Sequence, residues 1–248
     1  MAAVSVRHLW KEYGNHVVIE NLNLEIRDHE FVTIVGASGC GKTTFLRMLL
    51  GMESPTRGEF LIDGKPLPSE PGADRGIVFQ RYSLFPHLTV MENLLLGLEF
   101  AGAPLFARLF GAARREAVDK AKALLEAVGL YASRDRYPAQ LSGGMQQRLS
   151  IAQSVIREPR ILLLDEPFGA LDPGITADMH QLILKLWAQH RMTIFMITHD
   201  LKESFELGTR VLVFDKVRHD PQAPERFGAT VTYNLPLKPT LGAATAAT

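Results

Sequence analysis

The chain holds a single cysteine, Cys40, among 248 residues. No internal disulfide can form, and the composition suits a reducing cytosol. Charge of one sign is also missing, since 27 Lys and Arg balance 27 Asp and Glu. No block of Lys or Arg stands out, so the basic footprint of a nucleic-acid binder is absent and no nucleic-acid partner is expected. Long apolar runs are lacking too. Leu94 to Ala113 comes nearest, but Glu99, Pro104, Arg108 and glycines interrupt it, which argues against a transmembrane helix. The N-terminus has no charged region followed by an apolar stretch, so no secretory signal is expected. Internal repeats are absent.

What is present begins with a phosphate-binding loop. Phe31-Val-Thr-Ile-Val35 reads as a short buried strand, followed by Gly36-Ala-Ser-Gly-Cys-Gly-Lys-Thr43 and a helix from Thr43 to Leu50, closed by Gly51. Gly36, Gly39 and Gly41 let backbone N–H groups turn inward around phosphate oxygens at the positive end of that helix. Ser38, Cys40 and Thr44 belong to the same cradle. Lys42 would reach the β- and γ-phosphates, and the Thr43 hydroxyl would bind Mg²⁺. By itself the loop implies only a nucleotide with Mg²⁺.

Three more strands end in polar groups. Ile161 to Leu164 is a continuous apolar run, as expected of a parallel strand buried on both faces. Asp165 emerges at its end, suited to holding Mg²⁺ through water, and Glu166 is placed to polarise an attacking water. Gly76 to Phe79 ends at Gln80, and Thr193 to Thr198 ends at His199. In open α/β sheets the carboxyl edge is where ligands bind. Asp-Glu-Pro could equally be solvated loop chemistry, and His199 a loop residue beside a helix cap formed by Asp200 and Glu203. The phosphate loop upstream favours the catalytic reading.

Between loop and acidic strand stands Leu141-Ser-Gly-Gly-Met-Gln-Gln-Arg148, a helix start with Ser142 as its cap. Free N–H groups and a positive dipole suit this start to an anionic phosphate. The order of the three segments resembles the ATP-binding subunit of an ABC transporter, and the resemblance covers roughly residues 4 to 216. It implies that the nucleotide is ATP and that Ser142, Gly143 and Gly144 complete the site of an opposite subunit, so that hydrolysis requires a head-to-tail dimer with a second copy. It assigns Gln80 to Mg²⁺ and water, and His199 to the γ-phosphate. Asp172, in Gly-Ala-Leu-Asp, matches the loop that crosses the dimer interface. Tyr13 matches the aromatic that stacks on adenine, with Trp10 as its competitor. Three positions depart from the family pattern: Met145 where Gln is commonest, Gln153 where Arg is usual, and His29 in place of Gly.

The expected architecture is α/β: a P-loop NTPase core with a parallel sheet, an antiparallel β subdomain and an inserted α-helical subdomain. Residues 4–236 would form one ABC ATPase domain, with the core at 4–82 and 159–216, the helical subdomain at 83–158 and a C-terminal strand region at 217–236. Residues 4 to 26 and 58 to 67 read as antiparallel strands, with a turn at Asp63-Gly64. Thr89 and Glu92 form a capping box. Arg114 to Val128 and 175 to 190 carry helical apolar stripes. Strands Arg210 to Phe214 and Thr230 to Leu235 follow, and 237–248 reads as a disordered tail.

The resemblance further implies an importer ATPase, peripheral on the cytoplasmic face of the inner (plasma) membrane. Its partners would be transmembrane permease subunits and a separate solute-binding protein. Pro86-His-Leu-Thr, Asp-Glu-Pro-Phe-Gly-Ala-Leu-Asp and Thr-His-Asp-Leu-Lys-Glu look most like the nitrate, sulfonate and taurine group. A soluble ABC ATPase of translation or DNA repair is the alternative; such proteins usually carry two nucleotide domains or long coiled coils. Two local expectations complete the reading. Cys40, beside Lys42 at a helix N-terminus, favours the thiolate if the loop is accessible. Leu105, Phe106, Leu109 and Phe110 would share one helical face, either docking the permease or packing inside the lobe.

Overall fold

The computed structural model describes residues 3–68, 70–80, 83–102, 109–169 and 171–237. A six-stranded sheet forms its centre, made of β3 (Phe31–Gly36), β6 (Arg75–Val78), β7 (Ile161–Asp165), β8 (Thr193–Ile197), β9 (Arg210–Asp215) and β10 (Thr230–Pro236). The strand order is β10-β9-β3-β8-β7-β6, with every pair parallel except β9 and β10. A four-stranded antiparallel sheet lies beside it, built from β1 (Val4–Tyr13), β2 (His16–Ile26), β4 (Arg57–Ile62) and the short β5 (Lys65–Pro66) in the order β2-β1-β4-β5. The β4–β5 connection is the Asp63-Gly64 turn, and both residues have positive φ, 51° and 74°, as a two-residue hairpin of this kind requires.

Alternation along the parallel strands divides the core. Leu162, Leu164, Ile194 and Met196 point to one face, where they meet α4 (Gly143–Val155) and α5 (Pro173–His190). Ile161, Leu163, Phe195 and Ile197 point to the other, against α1 (Lys42–Leu50) and the antiparallel sheet. A strand covered on both faces has no polar side to offer, which is why its sequence is a plain apolar run.

Between β6 and β7 the chain forms α2 (Val90–Gly102), α3 (Gly111–Ala127) and α4. The expected capping box is present: the Thr89 N–H donates to Glu92 Oε2 at 2.8 Å, and the Glu92 N–H donates to Thr89 Oγ1 at 3.2 Å. Buried Asn93 fastens the preceding loop, its amide donating to the carbonyls of Phe85, Leu88 and Thr89. The shared helical face of residues 105–110 is corrected in part. Leu105 and Phe106 lie outside the described residues, and Phe110 is extended at the start of α3 rather than helical. Leu109 packs against the core while Phe110 is 72% exposed, so these two do not act as one face.

At the C-terminus the Leu237 N–H donates to the Thr209 carbonyl at 2.8 Å. Backbone pairing therefore reaches one residue into the segment expected to be a tail, and residues 238–248 lie outside the described residues.

Candidate active site

β3 delivers the chain to Gly36, whose backbone touches its neighbour β9. A Cβ on Gly36 would lie 2.2 Å from the Phe214 carbonyl oxygen, so no side chain can stand there. Gly39, at the tip of the loop, differs in its reason. A Cβ there would meet nothing within 4 Å, and the φ of +78° alone calls for glycine. Crowding therefore does not explain Gly39, and its part in the cradle is to turn the backbone. The loop closes at Gly41, where φ is +89° and a Cβ would meet Val18 and Ile19 side chains at 3.0 and 3.1 Å. Lys42, nearly buried, donates from Nζ to the carbonyls of Gly36 and Ala37 at 2.7 and 2.8 Å. This ties the ammonium across the mouth of its own loop. The first-turn N–H groups of α1 have no acceptor within the helix, which together with Lys42 makes a donor-only cradle suited to phosphate.

The Thr43 hydroxyl lies close enough to the Asp165 carboxylate, at the end of β7, to favour its ionised form. Burial pushes the Asp165 carboxyl above the usual range, and the adjacent Glu166 carboxylate adds to this; Thr43, Arg47 and Lys42 oppose both. A carboxyl in that condition gains from a cation. Among the described residues no group of three or more His, Cys, Asp or Glu could hold a metal alone. A Thr hydroxyl and one carboxylate instead fit Mg²⁺ that arrives with phosphates and keeps its waters.

Glu166 follows immediately, with φ of 47°, a conformation that costs a non-glycine residue energy. Its N–H donates to the Ile197 carbonyl at 3.0 Å, which fastens the turn to β8. The turn aims the side chain at two neighbours. Gln80 Nε2 donates to Glu166 Oε2 at 3.3 Å, and His199 Nδ1 stands 3.7 Å from the same oxygen. The ends of β6, β7 and β8 thus bring Gln80, Glu166 and His199 together, as expected of the sheet's carboxyl edge.

Ser142 caps α4, accepting the Met145 N–H at 3.3 Å, and Asp172 heads α5 without a side-chain cap bond. These two helix starts pack together: a Cβ on Gly144 would lie 2.7 Å from Ile175 Cγ2. Ser142, Gly143, Gly144 and Asp172 therefore share one corner of the chain. Tyr13, at the end of β1, bonds Glu53 through its hydroxyl and also reaches Thr44 of α1. Both candidate rings carry a cation, Lys11 Nζ at 4.8 Å over Tyr13 and the Arg57 guanidinium at 4.3 Å over its competitor Trp10.

The sequence profile of the ABC transporter family matches residues 19–169, which is more than half of the chain. The chain belongs to that family. It is 42% identical to the nitrate import ATP-binding protein of Synechocystis over 90% of this chain and 78% of the relative. It is 40% identical to the spermidine/putrescine import ATP-binding protein of Bacillus anthracis, over 86% of this chain and 63% of the relative. A bacterial ABC transporter cassette solved as a dimer superposes with a TM-score of 0.76 at 29% identity, covering 96% of this chain and all of that one. The same cassette in a post-hydrolysis dimer with ADP and Pi gives 0.75. This ABC protein is an ATP hydrolase with the cassette fold. No helix among the described residues is long and apolar enough to cross a membrane.

Cys40 of this ABC ATPase departs from expectation. Its side chain is 5% exposed, and burial pushes the thiol up despite the Lys42 ammonium 3.8 Å away and nearby backbone N–H groups. Desolvation outweighs the helix N-terminus, so the thiolate is not favoured. His29 has a φ of 60° and stacks on Trp187 at 4.6 Å; the left-handed backbone is what a glycine there would adopt without strain. Gln153 replaces a salt bridge with a contact from Nε2 to the Asn93 carbonyl at 3.4 Å. Sequence reasoning missed His180, Thr198 and the way Glu203 is used. Asp200 does cap α6 (Leu201–Leu207) through the Lys202 N–H at 2.7 Å. Glu203 instead accepts the Thr198 hydroxyl at 2.6 Å. His180 carried no signal, because it lies inside an amphipathic helix that reads as core.

Proposed function

We propose that this ABC ATPase works as a head-to-tail dimer that energises solute import through separate transmembrane subunits. The observation that carries the catalytic part is the convergence of Gln80 and His199 on Glu166 Oε2, at 3.3 and 3.7 Å. In this reading Glu166 polarises the attacking water, Gln80 orients that water and helps hold Mg²⁺, and His199 meets the γ-phosphate. Residues 36–44 hold the phosphates, with Lys42 on the β- and γ-oxygens, and Thr43 and Asp165 bind the metal. Mg²⁺ bound with ATP would offset negative charge on the transferring phosphoryl group. Tyr13 stacks on adenine. Ser142, Gly143, Gly144 and Asp172 face the nucleotide of the second copy, a role supported by their common corner and by the dimeric cassette this chain resembles.

The importer assignment is supported by relatives named for nitrate and for spermidine/putrescine import. We infer a small anion or nitrogenous solute of the nitrate, sulfonate and taurine type, a separate solute-binding protein, and a peripheral place on the cytoplasmic face of the inner membrane. Co-expression with candidate transmembrane permease subunits tests the reading. The expected result is co-purification, and ATP turnover in proteoliposomes that rises when the solute-loaded binding protein is added. A chain that hydrolyses ATP at full rate alone and associates with no membrane subunit would overturn it.

A further inference from the structure

One residue outside the known motifs meets the turn after Glu166 directly and faces α6, whose Glu203 bonds the residue before His199. His180 lies in the second turn of α5, 8% exposed, at the base of a cleft of about 330 Å³ that Glu166 and His199 also line. Its ring meets Phe168 edge-on at 5.1 Å, and Phe168 sits two residues beyond Glu166 in the same buried turn. On its other side Nε2 stands 3.5 Å from Glu203 Oε1, and Nδ1 stands 3.5 Å from Glu206 Oε2. Glu203 uses its second oxygen to accept the hydroxyl proton of Thr198, the residue before His199, at 2.6 Å. The Thr198 hydroxyl in turn accepts the Asp200 N–H at 3.0 Å. A continuous path therefore runs from the Glu166 turn through Phe168, His180, Glu203 and Thr198 to His199.

The geometry points to His180 as a positioning residue that sets where His199 stands relative to Glu166, an inference resting on the catalytic reading of those two groups. Buried Nε2 has no hydrogen-bond partner, and at 3.5 Å it falls just beyond a good N–H···O bond. Moving α6 by about half an ångström would complete that bond and carry Thr198 and His199 with it. Lys202 holds Glu206 from outside at 3.7 Å, which leaves the Glu203 side of the ring as the part that connects to the site. His180 touches neither nucleotide-binding residue nor metal ligand, so its effect should fall on turnover rather than on binding.

His180→Leu keeps the bulk against Phe168 and removes both ring nitrogens. We expect kcat to fall about tenfold, the scale of a small misplacement of reacting groups. KM for ATP should stay within about twofold, with the melting temperature unchanged, and His180→Gln, which keeps an N–H for Glu203, should recover most of the rate. The double variant with Thr198→Val should be no slower than the slower single variant, because both lie on one path. Wild-type kcat in His180→Leu would overturn the proposal, as would a loss confined to KM or a glutamine variant as slow as leucine. Should the leucine variant melt early, Glu203→Ala decides: a slowed kcat beside a near-normal His180→Gln supports the path, and a normal kcat overturns it. Glu166→Gln run in parallel separates the two readings. If it retains turnover, the catalytic assignment fails; if it is inactive and His180→Leu is normal, only the positioning role fails.

Discussion

Gln80 Nε2 and Glu166 Oε2 meet at 3.3 Å although 86 residues separate them in the chain. The contact joins the carboxyl end of β6, where the helical segment departs, to the carboxyl end of β7, the strand that follows that segment. Gln80 thus stands between the first residues of the helical segment and the Glu166 carboxylate.

Glu166→Gln should leave ATP binding intact, slow hydrolysis by at least about a hundredfold and trap an ATP-bound dimer. The amide keeps the shape and can still meet Gln80, but it cannot polarise water as a carboxylate does. Size-exclusion chromatography with and without Mg-ATP, beside a turnover assay, checks this. Turnover near wild type would remove Glu166 from the catalytic role.

Cys40 should resist modification. Its Sγ is buried and its thiol is pushed up by that burial, so the reactive thiolate is scarce at neutral pH. Maleimide should label the native protein at least about tenfold more slowly than a free thiol at the same pH, and Mg-ATP should slow it further. Denaturant should restore the ordinary rate. Native labelling as fast as glutathione would show that the loop opens freely.

Asp165 makes a prediction about pH. Burial and the Glu166 carboxylate raise its folded pKa above the unfolded value, so folding favours the protonated form. The stability it contributes is complete below the unfolded value of about 3.9 and is lost as pH rises through the folded one. At pH 7 the ionised carboxylate therefore costs the nucleotide-free fold. Asp165→Asn should raise the melting temperature of nucleotide-free protein by a few degrees at pH 7, and by less at about pH 4, near the unfolded value, while abolishing Mg²⁺-dependent turnover. Thermal scans at both values check the sign, and a lowered melting temperature at pH 7 would contradict it.

The sequence made some of this visible and hid the rest for physical reasons. The parallel strands were plain because burial on both faces leaves only apolar residues, as at Ile161 to Leu164. The phosphate loop was plain because its backbone admits glycine alone, through close approach at Gly36 and through positive φ at Gly39. The Thr89–Glu92 box was equally legible, since capping is local. Cys40 was misread because its local setting says thiolate while tertiary burial says thiol, and burial does not show in a loop motif. His180 was invisible for the opposite reason: it is a polar residue in an amphipathic helix that carries no motif, and only the fold brings Glu203 and Glu206 to its ring. Tyr13 and Trp10 stay indistinguishable by local surroundings, since each ring carries a cation, Lys11 at 4.8 Å and Arg57 at 4.3 Å.

Gly144 offers the last prediction, because its two possible requirements can be separated. A side chain there is excluded by Ile175, whose Cγ2 would stand 2.7 Å from the new Cβ. Ile175 is β-branched and stiff in a helix, so Gly144→Ala should push the start of α4 away from α5 and cost about 1–3 kcal/mol. At this chain length that lowers the melting temperature by about 2–4 °C for each kcal/mol. Ser142 and Gly143 would move too, and ATP-driven dimerisation in the Glu166→Gln background should weaken with them. A Cβ added at Gly144 points at Ile175, into the chain's own packing, rather than at a partner's phosphate. Removing the obstacle should therefore repair both defects. In the Gly144→Ala, Ile175→Ala double variant the stability losses should sum to less than those of the two singles, and the trapped dimer should return. A double variant that regains its melting temperature yet still fails to dimerise would show that the added methyl at Gly144 itself obstructs the partner's nucleotide, beyond the backbone approach proposed for this residue.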